Sequence, residues 1–397
     1  MLRVRQALAA LLVAAALMAV GQIGWNMFGV LWVLGVGGAA IALFVALGAA
    51  RGRRRRRRPR PRSVLLLVLI GLLCVAGTQV SAASPPRPPG RGAGELPRPD
   101  PMLRELIGFK VRYKDMLRRN LTLVRTVAVG YRAWNGQRRQ ALLVLPAWYG
   151  PKTHPAIPLV ISPHGRGGTA RANARLWGGL PAFGPFAVVN PEGQGRRLTA
   201  YSWGWRGQIQ DLARMPGILE RALPWFHVDH TRVYAIGSSM GGQETLLLAA
   251  LYPKLLVAAA PLDSATDMAA RYRAFATTPG EARLQQLARI EIGGTPVTAP
   301  NAYAARSPIT YARRLATGGV PIDIWWSRND KIIRNQDQES GRLYRMIKRI
   351  NPKAPVEQFV GTWAHSHEMH PLARLPLALV DLKIVELDEP LAKTVKP

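Results

Sequence analysis

The feature that most constrains the fold of this chain is a regular alternation of short apolar runs with amphipathic stretches after about residue 157. The apolar runs are Pro158–Ser162, Phe186–Asn190, Arg232–Ile236, Leu256–Pro261, Pro321–Trp326 and Val356–Val360. Candidate helices lie between or after them, at about Gln208–Leu223, Met240–Leu251, Ala302–Ala316, Gln336–Ile350 and Pro371–Ile384. Continuous apolar strands joined through helices predict an α/β fold with a mainly parallel sheet and helices on both faces.

Two further β-rich runs, Thr126–Trp134 and Ala141–Trp148, precede this alternation and are separated by Asn135-Gly136. An Asn-Gly pair between two such runs favours a type I′ hairpin, so we expect an antiparallel pair at the start of the sheet. The span from Ser264 to Gly319 is longer than one crossover connection needs. It favours a small cap over the functional site.

The N-terminal region has a different character, because no charged residue occurs between Gln6 and Ala50. As one helix this stretch would be about 68 Å long, roughly twice the apolar thickness of a bilayer. Two crossings, residues 7–24 and 27–49, fit better. A third apolar run covers residues 63–83, so the sequence predicts three transmembrane helices within a membrane anchor formed by residues 1–83.

An arginine-rich block, residues 51–62, lies between the second and third apolar runs. Positive charge is retained on the cytoplasmic side, so this loop is expected inside and everything after the third helix outside. The third run also has the features of a signal peptide, with a start downstream of Met1 and cleavage near Ala82 as the alternative. A lipid anchor at Cys74 is disfavoured, because the preceding Gly71-Leu72-Leu73 is a poor lipobox.

Residues 84–101 are rich in Pro, Gly and Arg and predict a semi-rigid stalk, followed by a catalytic domain at residues 102–397.

The whole chain carries a net charge of +31, and residues 51–62 contain no aromatic side chain. A nucleic-acid patch normally interleaves aromatics with basic residues, so nucleic-acid binding is disfavoured. The basic charge fits membrane topology, with an anionic cell envelope or an acidic substrate as a further partner.

The most informative motif is Gly237-Ser238-Ser239-Met240-Gly241, which is followed by Gly242. It comes directly after one predicted strand and opens the predicted helix Met240–Leu251, as a nucleophile elbow requires. The glycines permit a tight turn and a strained serine backbone. Ser239 is therefore the candidate nucleophile, although a serine cap at a helix N-terminus is the simpler structural interpretation.

A nucleophilic serine needs a base, and the base needs an orienting acid. Asp330 follows the predicted strand Pro321–Trp326 and is the candidate acid, with Asp263 as the alternative. His365, five residues after Val360, is the candidate base, with His367 as the alternative. His370, beside Pro371, is expected to be structural.

The three histidines also have the spacing of a zinc motif, His-x-His-x-x-His, found in metallo-β-lactamase-like hydrolases. Met369 stands where that motif has an aspartate, and those enzymes place the motif early in the chain. A single cysteine excludes a multi-cysteine metal site. We therefore expect neither a metal nor another cofactor.

A second loop, Pro163-His164-Gly165-Arg166-Gly167-Gly168, follows the predicted strand Pro158–Ser162. Its small residues would let backbone N–H groups converge on an oxyanion, with the amide of Met240 as the second donor. Gly165 and Arg166 are the candidate amides in this loop. Trp203 and Trp205 follow another strand and are weaker candidates for lining a substrate pocket.

Together these residues resemble the α/β-hydrolase superfamily over roughly residues 121–382. The closest likeness is to the catalytic domains of prolyl-oligopeptidase-like (S9-type) peptidases and to secreted esterases of the polyhydroxybutyrate depolymerase and feruloyl esterase type. The resemblance rests on the loop 163–168, the elbow around Ser239, Arg306-Ser307-Pro308, Asp330-Lys331-Ile332-Ile333 and the histidine after the final strand.

The resemblance implies Ser239 as nucleophile, Asp330 as acid and His365 as base of a serine hydrolase. Too few residues separate Ala83 from Ile157 for the β-propeller of the larger oligopeptidases. We therefore expect a membrane-anchored, extracytoplasmic carboxylesterase, with a serine peptidase, or less readily a binding protein without activity, as alternatives. The expected partners are a small ester or amide substrate and the membrane.

Overall fold

An eight-stranded sheet organises the described part of the chain, which comprises residues 101–119, 122–193 and 203–385 of a computed structural model. In chain order the strands are Val124–Arg132 (β1), Arg138–Pro146 (β2), Ile157–Ile161 (β3), Ala187–Pro191 (β4), Val228–Ser238 (β5), Ala258–Leu262 (β6), Ile322–Ser327 (β7) and Val356–Gly361 (β8). Their order across the sheet is β1-β2-β4-β3-β5-β6-β7-β8. Strand β2 is antiparallel to β1 and β4, and the remaining neighbours are parallel. The mainly parallel sheet expected from the sequence is confirmed.

The described α-helices connect or flank these strands. They are Pro101–Arg118 (α1), Ala170–Trp177 (α2), Arg206–Ala213 (α3), Met215–Ala222 (α4), Met240–Leu251 (α5), Met268–Thr277 (α6), Ala282–Ile292 (α7), Pro300–Arg306 (α8), Ala312–Thr317 (α9), Ser340–Ile350 (α10) and Leu375–Asp381 (α11). Two predicted helices are interrupted by proline. Pro216 lies at the start of α4, so residues 208–223 form two helices, and Pro308 begins a 3₁₀ turn between α8 and α9.

The hairpin between β1 and β2 is present, but its turn differs from the type I′ prediction. The Gly136 N–H donates to the Ala133 oxygen, so the turn is centred on Trp134 and Asn135. Asn135 does not have a positive φ, whereas Gly136 has φ 79°. This is a type I turn followed by a left-handed glycine, the common arrangement of a three-residue hairpin loop. The expectation placed the turn one residue too late.

Successive strand residues face the two sides of the sheet and enter different apolar cores. Leu143, Ile161 and Val189 belong to one cluster, which also contains residues of α3, α4, α5 and α10. Val144 and Val160, one position away along their strands, belong to the other cluster, which contains residues of α1, α2 and α11. Because alternate residues of a strand point to opposite faces, a sheet covered by helices on both faces needs apolar residues at successive positions.

An insertion between β6 and β7 carries α6, α7 and α8. It has a small apolar core of its own, centred on Met268, Phe275, Ala288 and Tyr303. Trp203, which precedes α3, belongs to the same cluster. The long span expected to form a cap is therefore a helical unit packed beside the chain entering α3.

The expected membrane helices (residues 7–24, 27–49 and 63–83), the arginine-rich loop 51–62 and the stalk up to residue 100 lie outside the described residues. Pro101, assigned to the stalk, is the first residue of α1. Within the described ranges, every helix is too short or too polar to cross a bilayer.

Three acidic side chains meet near the β7–β8 edge of the sheet. Asp323 pairs with Glu357 in the strand register. Burial, followed by the charges of Asp381 and Glu357, raises the pKa of Asp323 to about 7. Like charges directly opposite each other are destabilising. The folded protein therefore holds a proton on Asp323 at pH values where the unfolded chain has released it.

We predict that Asp323→Asn stabilises the protein at pH 8. Between about pH 4 and pH 7 the unfolded state binds fewer protons than the folded state, so wild-type stability falls as pH rises. The substitution removes this loss. Thermal unfolding of the full chain should show a higher Tm than wild type at pH 8 and no difference at pH 4.

Asp229→Asn is the matched control, because hydrogen bonds from Thr231 and Arg232 lower the pKa of Asp229. It should slightly lower the Tm at pH 8. An equal gain from both substitutions would contradict the assignment of the effect to Asp323.

Candidate active site

The candidate residues lie at one edge of the sheet because parallel strands end on the same side. Five strands lie side by side in the sheet, and each is parallel to its neighbour, in the order β3, β5, β6, β7 and β8. Each is followed by a loop that carries a candidate from the sequence. This edge is where open α/β sheets place their ligand sites.

Ser239 lies between the end of β5 and the start of α5 and has φ 61° and ψ −122°. This backbone conformation is strained for a residue with a side chain. The backbone N–H of Ser239 donates to the backbone carbonyl oxygen of Leu262 at 2.9 Å. The backbone carbonyl oxygen of Ser239 accepts from the backbone N–H of Gln243 at 3.0 Å. The strain is held by bonds to β6 and to the first turn of α5, as expected for a nucleophile elbow.

The glycines of the elbow allow this turn to pack against the loop after β3. A Cβ atom on Gly241 would collide with the Pro163 carbonyl oxygen, and one on Gly237 would lie 2.6 Å from the Gly241 oxygen. A Cβ on Gly165 would lie 3.6 Å from the Cβ of Ser239. The loop after β3 therefore lies directly beside the serine.

Asp330 follows β7, and its side chain is almost fully buried. One carboxylate oxygen accepts from the N–H groups of Ile332 and Ile333, at 2.8 and 2.9 Å. The other accepts from Nε2 of Gln336 at 3.2 Å. The loop after the strand thus wraps around the carboxylate and orients it.

His365 is hydrogen-bonded to Asp330, with its Nδ1 2.7 Å from Oδ2 of the carboxylate. Burial favours the neutral acid, but the hydrogen bond and charge of His365, with the N–H groups of Ile333 and Ile332, outweigh it and lower the pKa of Asp330. An ionised carboxylate only accepts hydrogen bonds, so Nδ1 carries the proton. Nε2 of a neutral His365 is then free to take a proton from another group.

The loop of His365 adjoins the elbow of Ser239. The Ser238 hydroxyl donates to the Ser366 hydroxyl at 2.6 Å, so the residue before Ser239 contacts the residue after His365. Ser366 has φ 60°, another strained position. The structure therefore brings the loops of all three triad candidates together at one edge of the sheet.

The alternative candidates occupy other positions. Asp263 is fully buried at the end of β6 and accepts hydrogen bonds from Ser327, Trp363 and Ser366. His367 is exposed in a 3₁₀ turn. His370 is also exposed, and its Nδ1 accepts from the Leu372 N–H, as a structural residue would.

The spacing that suggested a zinc motif does not bring the three histidines into one ligand cluster among the described residues. A different set, Asp263, Asp330 and His365, has donor atoms within 4.8 Å of one another. In that set Nδ1 of His365 is already bonded to Asp330. The arrangement is that of a histidine oriented by an acid.

His164 is buried in the loop after β3, and the hydrogen bonds of its two ring nitrogens stabilise that loop. Nε2 of His164 accepts from the Gly193 N–H at 3.1 Å, so Nδ1 carries the proton and donates to the Gly165 oxygen at 2.8 Å. Among the described residues no acceptor takes the Gly165 N–H. Gly165 lies beside Ser239, and its role as an oxyanion donor stays a prediction.

The side chain of Arg166 ties the same loop to the insertion. Its guanidinium forms two hydrogen bonds with the buried Glu291 of α7, at 2.6 and 2.9 Å, and lies over the ring of Trp203 at 4.5 Å. The Trp203 indole N–H also donates to Glu291. A charge-assisted bidentate pair of this kind is among the stronger polar contacts in proteins.

The two tryptophans proposed as pocket residues make packing contacts. Trp203 is buried and lies against Phe275. Trp205 is half-buried between Trp134 and the guanidinium of Arg306, which lies 4.6 Å from its ring. Tyr201 and Ser202, which directly precede Trp203, lie outside the described residues.

Sequence reasoning missed several residues that hold the site. Glu291 contacts the loop after β3 from a distant position in the chain, whereas Trp363, Ser366 and Glu368 lie in the loop of His365 itself. Their types carry no local pattern, although the stretch from Trp363 to His370 is unusually rich in polar side chains for the end of a strand. Only the tertiary contacts reveal them.

Comparison with known proteins supports the fold. No family model matches the sequence, and no curated protein matches it. Among solved structures, the chain is similar to the acylaminoacyl peptidase of Pyrococcus horikoshii, with a TM-score of 0.53 and 16% identity over 70% of this chain. The match covers 44% of the peptidase, so the chain spans less than half of that protein's length.

Two further structures are similar. A puromycin hydrolase matches with a TM-score of 0.50 and 16% identity, over 69% of this chain and 42% of the hydrolase. A double mutant of the esterase rPPE matches with a TM-score of 0.50 and 18% identity, over 76% of this chain and 93% of the esterase. With the strand order described above, these likenesses show that the chain has the same α/β fold as these proteins, an α/β-hydrolase fold.

We predict that Glu291→Gln loosens the loop after β3. It removes the negative charge that faces the guanidinium of Arg166, and loss of a largely buried charged hydrogen bond costs on the order of 1–3 kcal/mol. The Tm of the full chain should fall by several degrees, and limited proteolysis should cut the insertion, residues 264–307, sooner than in wild type.

Asp337→Asn is the matched control, since it breaks an Arg345–Asp337 pair whose two side chains are about half exposed. Exposed pairs contribute little. A similar Tm change in both variants would contradict a special role for the Arg166–Glu291 pair.

Proposed function

We propose that this chain is a serine hydrolase that cleaves carboxylic esters through an acyl-enzyme, with Ser239, Asp330 and His365 as its triad. The observation that carries the proposal is the 2.7 Å hydrogen bond between His365 and Asp330 on the loops beside the strained Ser239. A base held by a buried acid next to a serine on a tight elbow is the constellation that activates a hydroxyl.

In the proposed acylation step, Nε2 of His365 takes the proton of the Ser239 hydroxyl as its oxygen attacks the ester carbonyl. Asp330 accepts the hydrogen bond from Nδ1 and stabilises the imidazolium that forms. Collapse of the tetrahedral intermediate breaks the carbon–oxygen bond of the ester. The alcohol leaves with the proton that His365 returns to it.

The developing oxyanion would be held by backbone amides. Met240 begins α5, so its N–H lies in the first turn, where the helix dipole favours negative charge. The second donor comes from the loop after β3, from Gly165 or Arg166. One such donor is commonly worth about 10²–10³ in kcat. Water, deprotonated by His365, then releases the acid and restores Ser239, and this chemistry requires no cofactor.

An ester substrate is favoured over a peptide by the extent of the similarities. The rPPE esterase is matched over almost its full length, whereas the acylaminoacyl peptidase and the puromycin hydrolase are each matched over less than half of theirs. Peptide cleavage remains the second candidate, because the acylaminoacyl peptidase has the highest TM-score among the structures reported above.

We predict that Ser239→Ala abolishes ester hydrolysis. Loss of a triad nucleophile typically lowers kcat by about 10⁴-fold or more. The full chain, purified in detergent, would be assayed with p-nitrophenyl acetate and with a fluorophosphonate probe, which labels activated serines covalently. Wild type should be labelled and Ser239→Ala should not.

Ser238→Ala is the matched control, since it removes the adjacent hydroxyl and leaves the proposed nucleophile. It should retain labelling. Labelling of Ser239→Ala would refute the proposed nucleophile, and the absence of labelling in wild type would favour a binding protein. A panel of acyl esters and acylaminoacyl peptides, compared by kcat/KM, would separate esterase from peptidase.

We further propose that the hydrolase domain is held outside the cytoplasm by an N-terminal membrane anchor. The support is the charge pattern: long apolar runs flank residues 51–62, where arginine is concentrated. The apolar runs predict membrane insertion, and the arginines predict which side they face. The net positive charge of the remaining chain would favour an anionic envelope surface.

We predict that the full chain stays with the membrane fraction after an alkaline carbonate wash. A C-terminal tag should be accessible to protease added to intact spheroplasts. Reversing the charge of the arginines in residues 51–62 should reduce that accessibility. A tag that is protected in wild-type cells would contradict the extracytoplasmic orientation.

A further inference from the structure

Two buried carboxyl groups, Asp263 and Glu368, lie behind the proposed triad and have no part in its chemistry. Asp263 is the residue after β6, and Glu368 lies three residues after His365. Neither side chain is exposed. Burying a carboxyl group is costly unless it is bonded or neutral, so both groups require an explanation.

Asp263 holds the loop of His365 from both sides. Its Oδ2 accepts from the indole Nε1 of Trp363 and from the backbone N–H of Ser366, both at 3.1 Å. These two residues bracket His365 in the chain. One carboxylate oxygen therefore fixes the backbone and a side chain on either side of the proposed base.

The other oxygen of Asp263 attaches this arrangement to the sheet. Oδ1 accepts from the Ser327 N–H at 2.9 Å, at the end of β7. The Ser327 hydroxyl in turn donates to the Trp363 carbonyl oxygen at 2.5 Å. Asp263 thus joins the ends of β6 and β7 to the loop that carries His365. Its own φ of 40° is a strained value, which these bonds hold in place.

Asp263 is not arranged as the acid of the triad. Nδ1 of His365 donates to Asp330, whereas Asp263 accepts from Ser327, Trp363 and Ser366. Its carboxylate is nevertheless within 4.8 Å of the atoms of that pair. A second full negative charge here would compete with Asp330 for protons.

Glu368 lies next to this carboxylate. Burial, and then the charge of Asp263, raise the pKa of Glu368 far above its usual range, so it carries a proton at neutral pH. Burial also raises the pKa of Asp263, while the bond from the Ser366 N–H lowers it. Neither Glu368 oxygen has a partner of good hydrogen-bond geometry among the described residues. A neutral carboxyl group that is fully buried needs an acceptor for its O–H, and the Asp263 carboxylate is the neighbouring group that can provide one.

We propose that Asp263 and Glu368 form a carboxyl pair that shares one proton and positions the histidine loop, residues 362–370, with Glu368 as the neutral donor and Asp263 as the anchor. The proposal rests on the proposed function for its kinetic consequence, although the structural role is independent of it. Both are positioning residues, because each acts on His365 through the loop.

Asp263→Asn tests the anchor. An amide presents two hydrogens on one side, so it opposes either the Ser327 N–H or the donors of the histidine loop. Displacing a catalytic group by about 1 Å costs roughly 10²-fold in rate. We expect kcat to fall 10–100-fold with KM for p-nitrophenyl acetate within threefold of wild type. Asp330→Asn should cost about 10⁴-fold, as loss of a triad acid does.

Glu368→Gln and Glu368→Met test the donor. The amide of glutamine still donates to Asp263, whereas methionine has a similar length and no donor. We expect Glu368→Gln to keep kcat within about threefold of wild type and Glu368→Met to lose at least tenfold. Equal losses in both variants would overturn the neutral-donor role.

Hydrogen–deuterium exchange separates this proposal from the proposed function. In the full chain, Asp263→Asn and Glu368→Met should speed exchange at least tenfold in peptides covering residues 362–370 and leave those of α5 unchanged. The guanidinium of Arg374 lies 4.9 Å from the ring of Trp363. Trp363→Phe removes the indole donor and keeps an aromatic ring for this contact, so it should give a smaller change, and it serves if Asp263→Asn does not fold.

Failure of the proposed hydrolase and failure of the carboxyl pair would give different experimental results. A wild-type protein that no serine probe labels would refute the hydrolase, while faster loop exchange in the variants would still support the carboxyl pair. Unchanged exchange in Asp263→Asn would overturn the pair, and so would a kcat loss as large as that of Asp330→Asn, which would make Asp263 a triad acid.

Discussion

The site depends on the close approach of two backbones, the first turn of α5 and the loop after β3. A side chain at Gly241 would collide with Pro163, so only glycine allows the two to meet. This approach sets the conformation of Ser239 and also brings Gly165 beside it. A strained residue of this kind costs about 1–3 kcal/mol, which surrounding contacts must offset. The hydrogen bonds of Ser239 to β6 and to α5 supply that support.

Strain is concentrated at the same edge of the sheet. Trp203, Ser239, Asp263 and Ser366 all have positive φ, and each belongs to a contact that joins two loops of the site. Trp203 meets Glu291, and Ser366 meets both Ser238 and Asp263. Strained positions persist only where their surroundings over-determine them. The loops are therefore better viewed as one bonded network than as separate carriers of single residues.

Patterns in the sequence were sufficient for the sheet and for the positions of the candidate residues. Mainly apolar runs of strand length predicted the strands, and the glycines around Ser239 predicted the elbow, because both depend on local chain geometry. Helix breaks at Pro216 and Pro308 were missed, since the flanking residues keep a helical pattern across them. The Gly136 turn was misplaced because Asn-Gly suits two kinds of hairpin.

The supporting contacts could not be predicted, for a physical reason. Arg166 and Glu291 are 125 residues apart, and Asp263 and Ser366 are 103 apart, so no local periodicity links them. The choice between Asp330 and Asp263 shows the same limit. Both follow a strand at the same edge of the sheet, so the sequence made Asp330 the candidate acid and left Asp263 open as the alternative. The hydrogen bonds distinguish them, since Asp330 accepts from the histidine side chain and Asp263 from the loop that carries it.

Charge is distributed in a way that suits one ionised acid at the histidine. The chain has a net charge of +31, yet Asp263, Asp330 and Glu368 are all buried within the same group of loops. Three negative charges there would repel one another and bind protons strongly. A neutral Glu368 removes one of them, and the donors around Asp263 disperse the second. Asp330, whose pKa is lowered by His365, is then the acid best placed to stay ionised beside the imidazole.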